Sequence, residues 1–320
     1  MDVQAPGWAE KVPIGERASM SVADRIAAAW DALDGIDTVI DSLRPKGSVV
    51  SGKVSVEHER YFALKELANA ISETLNEYED RLEDSKTARL EGRQPDAVGR
   101  KVRYRAIKVK TWGDLNDIWG TSQPVRSLSS ATSMEEALRE LFDSAEPIPD
   151  DADLFEVENQ LALLQLMATA EHHDKPVYLW VRAFPEGGKS NHTETLSVYY
   201  QAAWKDGLGV EVVLSQKDSG LLLQVKGIHA RSLAFTEVGT HLFLPKHGGP
   251  VPVRLHVVDS WPAQFVDPFA FGPILRIYPE GQPMVDVRTG LVSPLPGSAD
   301  FAEAFRTFTL AALPRATISR

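Results

Sequence analysis

Between Gly207 and Asp259 four β-type runs follow one another, at 209–215, 220–226, 240–245 and 251–258. Apart from a short helical turn near 229–236, only brief links separate them. A parallel return needs a crossover of a dozen residues or more, usually a helix, and these links do not supply it. Lys217-Asp218-Ser219-Gly220 and Gly248-Gly249-Pro250 are hairpin-type turns. The stretch predicts a mostly antiparallel sheet, and every functional reading has to fit a site that such a sheet can build.

Upstream of Pro176 the period is helical. Val22–Leu43 carries apolar residues at 22, 26, 27, 29, 30, 33, 36, 39, 40 and 43, with Ser21 as N-cap, Asp24 three residues on and a break expected near Gly35. Ser55–Leu90 reads as one long helix striped by Phe62, Leu64, Leu67, Ala70, Ile71, Leu75, Tyr78 and Leu82. A short helix is expected from Ser133 to Phe142. Asp153–His172 is apolar around more than one stripe, so it is expected to be buried on several sides. Beyond Pro176 come a strand at 177–183, a helix at 194–205, the four runs above, strands at 274–278 and 284–287, a turn at Arg288-Thr289-Gly290 and a helix near 299–312. The expected class is α+β: a helical N-terminal region, a mixed, mostly antiparallel sheet domain and a small β-β-α C-terminal piece. The expected organisation is 1–130 (helical hairpin plus basic strand), 131–175 (helical segment), 176–262 (sheet domain) and 263–320 (C-terminal piece).

Composition narrows the function classes. No apolar run approaches the roughly 20 residues of a membrane span, and the N-terminus has no basic region followed by an apolar core, so a cytoplasmic protein without membrane contact is expected. There is no cysteine, which excludes disulfides and thiolate metal sites. Net charge is −11, with 27 acids against 20 bases in residues 1–150 and 18 against 14 in the remainder. That argues against DNA as a partner and against loose coating of nucleic acid, which needs a basic footprint. One local exception stands out: Arg100, Lys101, Arg103, Arg105, Lys108 and Lys110 form a basic run with no acid among them. It reads either as a solvated edge strand guarded by cations or as a contact for RNA or an acidic protein.

Ala183-x4-Gly188-Lys189-Ser190 fits a loose phosphate-loop pattern, strand to glycine turn to helix. Such a loop belongs to parallel βαβ units, which the antiparallel stretch downstream does not provide. His172 and His173 end a helix, where a cation suits the dipole, and lack further ligands at metal-binding spacing. His241 and His256 lie in apolar strands as core or edge residues. No nucleophile elbow or zinc-protease motif occurs. No catalytic residue, metal ligand or cofactor is expected.

The segment Val177–Trp204, the strand Gly209–Val213, its partner Gly220–Gly227, and Ala230-Arg231-Ser232-Leu233-Ala234-Phe235-Thr236-Glu237-Val238-Gly239-Thr240-His241 keep their order and approximate spacing over about 80 residues. Together they resemble the class I peptide chain release factors. In that family a strand ending in Arg-Ala-Gly leads through Gly-Gly-x-Glu-Ala into a helix bearing Tyr and Trp, and a later segment reads Ala-Tyr-Gly-x-Leu-x-x-Glu-x-Gly-Val-His. The resemblance implies a release-factor-type central domain. It also marks what this chain lacks. Thr240–Pro245 turns straight back through Lys246–Val251, where the family carries its codon-reading tripeptide. The family's Gly-Gly-Gln hydrolysis tip is reduced to Glu280-Gly281-Gln282-Pro283, with one glycine lost and Pro283 restricting the backbone. Gly281 and Gln282 read either as a degenerate tip or as an ordinary tight turn. The expected function is non-hydrolytic: a ribosome-associated translation or rescue accessory factor contacting ribosomal RNA through the basic run. The alternative is a repurposed module that binds a protein partner in a larger complex; a nucleotide-binding enzyme is the third reading.

Overall fold

The structure, a computed structural model, describes residues 21–45, 55–92, 105–107, 143, 145–147, 152–169, 176–183, 191–205, 208–217, 220–227, 229–247, 250–258 and 274–313. The chain divides into two compact units, one helical and one built on a sheet.

The helical unit holds α1 (Val22–Ser42), α2 (Val56–Leu90) and α3 (Ala152–Thr169). Each places a residue into the core at alternating steps of three and four: Ile26, Ala29, Leu33, Ile36 and Ile40 on α1; Tyr61, Leu64, Ala68, Ile71 and Leu75 on α2; Leu154, Val157, Leu161, Leu164 and Ala168 on α3. That seven-residue period keeps one seam facing the neighbouring helices along their length. Full burial of a Leu or Ile in such a seam contributes about 1.5–3 kcal/mol. The Ser21 hydroxyl accepts from the Asp24 N–H at 3.1 Å, so α1 starts at the expected cap. It then runs through Gly35 without the expected break. Gly35 lies on the exposed face, and the roughly 1 kcal/mol it costs is small against the five buried apolar residues of α1. Arg60 of α2 donates to the carbonyls of Met167 and Ala168 at 2.8 and 3.2 Å, satisfying the last turn of α3. Arg25–Glu158 and Arg81–Asp153 pair at 2.9 and 2.8 Å, tying α1 and α2 to α3.

The sheet unit contains β1 (Arg105–Ile107), β2 (Ala145–Pro147), β3 (Val177–Ala183), α4 (Asn191–Lys205), β4 (Glu211–Lys217), β5 (Gly220–Lys226), α5 (Ala230–Thr236), β6 (Gly239–Leu244), β7 (Val251–Val258), β8 (Ile274–Pro279), β9 (Val285–Asp286), β10 (Leu291–Val292) and α6 (Phe301–Ala311). The strands form one sheet in the order β2-β1-β10-β9-β8-β6-β7-β3-β5-β4. Every neighbouring pair is antiparallel except β6 and β8. The class is α+β with a mixed, mostly antiparallel sheet and a C-terminal helix, as the short links require. β3, β4, β5 and β7 fall within two residues of their expected bounds. Two-residue β10 has no counterpart in the sequence reading, because so short a run carries no period. Residues 274–292 extend the same sheet as β3–β7, so the C-terminal strands are continuous with the central ones.

Candidate functional site

Charged residues inside apolar strands mark the polar centre of the sheet unit. Arg276 interrupts Ile-Leu-Arg-Ile-Tyr on β8, and Asp286 ends β9. His241 lies on β6, Glu237 on the turn that closes α5, Tyr200 on α4 and Thr309 on α6. Tyr200, Glu237, His241, Arg276, Asp286 and Thr309 are all fully buried or nearly so.

Arg276 organises the cluster. Its Nε donates to Asp286 Oδ2 at 2.8 Å, and its Nη2 donates to Glu237 Oε1 at 3.0 Å and to Thr309 Oγ1 at 3.1 Å. Its Nη1 approaches Glu237 Oε2 to 3.0 Å without hydrogen-bond alignment. The guanidinium also lies 3.9 Å from the centre of the Phe305 ring on α6, a cation–π contact. Arg288 supplies a second cation: its Nη2 donates to Asp286 Oδ2 at 2.7 Å and to Glu237 Oε1 at 3.2 Å. The backbone N–H groups of Arg288 and Thr289 donate to Asp286 Oδ1 at 3.1 and 3.3 Å, closing the turn in which Gly290 takes a φ of +68°. Two carboxylates thus face two guanidiniums, and the buried charge sums to zero.

Histidine 241 joins this core to the aromatic layer. Tyr200 donates its hydroxyl proton to Glu237 Oε2, so the Tyr200 oxygen can only accept from His241 Nε2, 3.3 Å away. His241 Nδ1 then accepts from the Tyr278 hydroxyl at 3.1 Å. The hydrogen-bond network assigns the neutral Nε2–H tautomer. Burial, then the positive charge of Arg276, lowers the imidazole pKa to about 3, which agrees with a neutral ring. Burial pushes the Glu237 carboxyl up, but Arg276 and Arg288 more than offset it and hold it below the usual range. Asp286 behaves the same way, with burial opposed by Arg288 and Arg276. Burial raises both tyrosine hydroxyls, so Tyr200 and Tyr278 stay protonated.

Chemically this arrangement holds rather than reacts. No member is exposed, each charge is matched, and the hydroxyl protons are committed to fixed acceptors. A general acid or base needs reach to a substrate proton, and Tyr200, Glu237, His241 and Asp286 are all fully buried. Replacing such a network whole by well-packed apolar residues can be neutral in stability, but removing one member strands a charge, so the network permits one arrangement of its elements. It clamps α4, α5, β6, β8, β9 and α6 in mutual register. Among the described residues no group of three or more His, Asp or Glu gathers as a metal site, and no helix is long and apolar enough to cross a membrane.

Of the residues singled out in the sequence, Arg105 lies half-buried on β1, where it pairs with Val292 of β10 and Pro147 of β2. β1 is therefore flanked on both sides, which corrects the edge-strand reading: its partner β10 comes from residues far downstream. Arg100, Lys101, Arg103, Lys108 and Lys110 lie outside the described residues, as do Gly188, Lys189, Ser190, His172, His173 and the helix expected after Ser133. The strand before that glycine segment, β3, is antiparallel to both neighbours, β5 and β7. Gly281 and Gln282 are exposed in a tight turn after β8. The Gln282 N–H donates to the Pro279 carbonyl at 3.2 Å, and Gly281 takes a φ of +72°, a left-handed conformation that glycine adopts without strain. The turn is pinned to the end of β6: the Glu280 N–H donates to the Leu244 carbonyl at 2.9 Å, and the Lys246 N–H donates to Glu280 Oε2 at 2.8 Å. Glu237 and His241 sit in the motif quoted above, whereas Arg276, Asp286 and Arg288 were not recognised as partners. The signal for them is charge within the apolar runs Ile274–Tyr278 and Met284–Val287.

Neither a protein-family model nor a curated protein matches the chain. Among solved structures it is similar to RF2 of Thermus thermophilus, at 16% identity and a TM-score of 0.24, over 88% of this chain and 76% of that chain. A TM-score of 0.24 is too low to decide function.

Proposed function

We propose that the chain is a non-hydrolytic, release-factor-like protein that acts as a ribosome-associated accessory factor and neither reads stop codons nor cleaves peptidyl-tRNA. The observation that carries this reading is the turn at Pro279–Gln282. A hydrolysis tip must project from its domain, and here Gly281 and Gln282 sit on a turn of a few residues anchored to β6 through Glu280, Leu244 and Lys246. β6 itself ends at Leu244 and β7 begins at Val251, which leaves no room for an extended codon-reading loop. Among the described residues, the polar cluster around Arg276 is buried and charge-balanced, the build of a scaffold that binds. The ordered likeness of residues 177–241 to release factors supports the ribosome as the partner, and the basic run around Arg105 supports contact with RNA.

Co-sedimentation with ribosomes at graded salt tests the reading. The wild-type chain is expected to pellet with ribosomes at low salt, and Arg103→Ala/Arg105→Ala to release it while circular dichroism stays unchanged. Absence of pelleting at low salt overturns ribosome association and leaves the protein-adaptor reading. Peptidyl-tRNA hydrolysis above background that Gln282→Ala abolishes overturns the non-hydrolytic part.

A further inference from the structure

The sheet has two ends, and they are treated differently. β2, at one end, has three residues and includes Glu146 and Pro147. Short length, charge and proline are how sheet edges are blunted against further pairing. β4, at the other end, is seven residues long, has no proline and carries charge only at its two terminal residues. It pairs with β5 over seven consecutive positions, from Glu211↔Lys226 to Lys217↔Gly220, with no bulge. Its centre is Val212-Val213-Leu214-Ser215, uncharged and free of proline. Val213 and Leu214 point to opposite faces and are 39% and 43% exposed. Among the described residues no further strand pairs with β4, and alternate residues of an edge strand direct their N–H and C=O groups outward.

The order of residues along β4 says what would cover it. The strand begins with an acid, Glu211, ends with a base, Lys217, and has Leu214 at its midpoint. An antiparallel pairing of two copies centred on Leu214 sets Glu211 opposite Lys217 at both ends, Val212 opposite Gln216 and Val213 opposite Ser215. Each opposite-charge pair directly across the strands, and the central Leu214–Leu214 pair, contributes about 0.2–1 kcal/mol. A parallel pairing instead sets Glu211 against Glu211 and Lys217 against Lys217, which costs. A register slip of two residues loses both charge pairs. We propose that β4 is a dimerisation edge, joining two copies of this chain β4 to β4 about a two-fold axis at Leu214. The interface is isologous, so it closes at two copies. A single strand pair buries less surface than the interfaces of permanent dimers, so the dimer population rises with concentration.

The absence of cysteine makes the register testable. Residues directly opposite in an antiparallel pair have Cα atoms about 4.5–5.5 Å apart, within disulfide reach. Leu214→Cys, treated with copper–phenanthroline, is expected to give a disulfide-linked species of twice the 35.2 kDa chain mass. Val213→Cys, whose opposite residue is Ser215, remains largely monomeric under the same treatment. Sedimentation equilibrium of the wild-type chain is expected to show a monomer–dimer equilibrium, and Leu214→Lys, which sets like charges across the axis, to abolish it with an unchanged circular dichroism spectrum. A wild-type chain that stays monomeric up to about 100 μM, equal cross-linking of the two cysteine variants, or a Leu214→Lys variant that dimerises as the wild type does, overturns the proposal.

Discussion

Replacing Arg276 by Met keeps an unbranched stem over the Phe305 ring and removes the charge that balances Glu237 and Asp286. The variant loses the bonds to Asp286 Oδ2, Glu237 Oε1 and Thr309 Oγ1, and both carboxylates must share Arg288. Breaking a buried pair by deleting one partner costs about 3–5 kcal/mol, most of it the penalty of the charge left behind. The pH dependence has a definite sign. In the wild type the folded pKa of Glu237 lies below its ordinary value of 4.5 and that of Asp286 below its ordinary 3.8. Their stabilising contribution is therefore present above those values and lost as pH falls through the lower, folded ones. Without Arg276, the largest influence opposing burial is gone, Arg288 and the Tyr200 hydrogen bond remain, and the folded Glu237 pKa rises. The carboxyl then gains a proton more easily folded than unfolded, so the variant recovers stability as pH falls. The deficit against wild type is expected to be largest near pH 7.5 and smaller near pH 5. Guanidinium unfolding at the two pH values, followed by the near-ultraviolet signal of the packed aromatics, measures it. Adding Glu237→Gln to Arg276→Met should restore part of the loss at pH 7.5. A deficit under about 1 kcal/mol, or one equal at both pH values, would refute the charge-balance reasoning.

His241 carries a second pH signature. The unfolded histidine gains a proton below its ordinary value of 6.5, while the folded one resists until about 3. Stability is therefore lost across that window as pH falls, by up to about 1.4 kcal/mol per pH unit. His241→Gln should flatten this part of the acid limb when unfolding is measured at several pH values between 4 and 7, and an unchanged slope would count against a neutral buried imidazole. In the helical unit, Leu164→Ala empties a fully buried seam position and should lower stability by about 2–5 kcal/mol. Calorimetry should show one transition shifted and the other unmoved, and a loss under about 1 kcal/mol would mean the seam repacks.

The helices were legible because their core positions are spaced by three and four with little interruption. Ile26 to Ile40 on α1 and Leu154 to Ala168 on α3 need no partner to be recognised. The antiparallel sheet was legible from link lengths alone. Pairing choice was not: β10 is two residues long, and nothing local says that Val292 should lie beside Arg105. For that reason β1 reads as an edge in the sequence and is interior in the fold. The polar centre was half legible. Glu237 and His241 stood within a recognised motif, but Arg276 and Asp286 gain their meaning only when β8 and β9 come together in space. A single charge in an apolar strand signals a partner without naming it.

The place of β1 in the sheet has a consequence for synthesis. β1 and β2 leave the ribosome early, yet β10, the strand that joins them to the rest of the sheet, ends at Val292. At about 5–20 residues per second, elongation from Ile107 to Val292 takes on the order of ten seconds or more. Until then the β1–β2 pair is an isolated two-stranded element, which is marginal in water. Translation arrested before Val292 would release a chain whose earliest strands never find their neighbour, which makes the final segment the latch on a sheet begun much earlier.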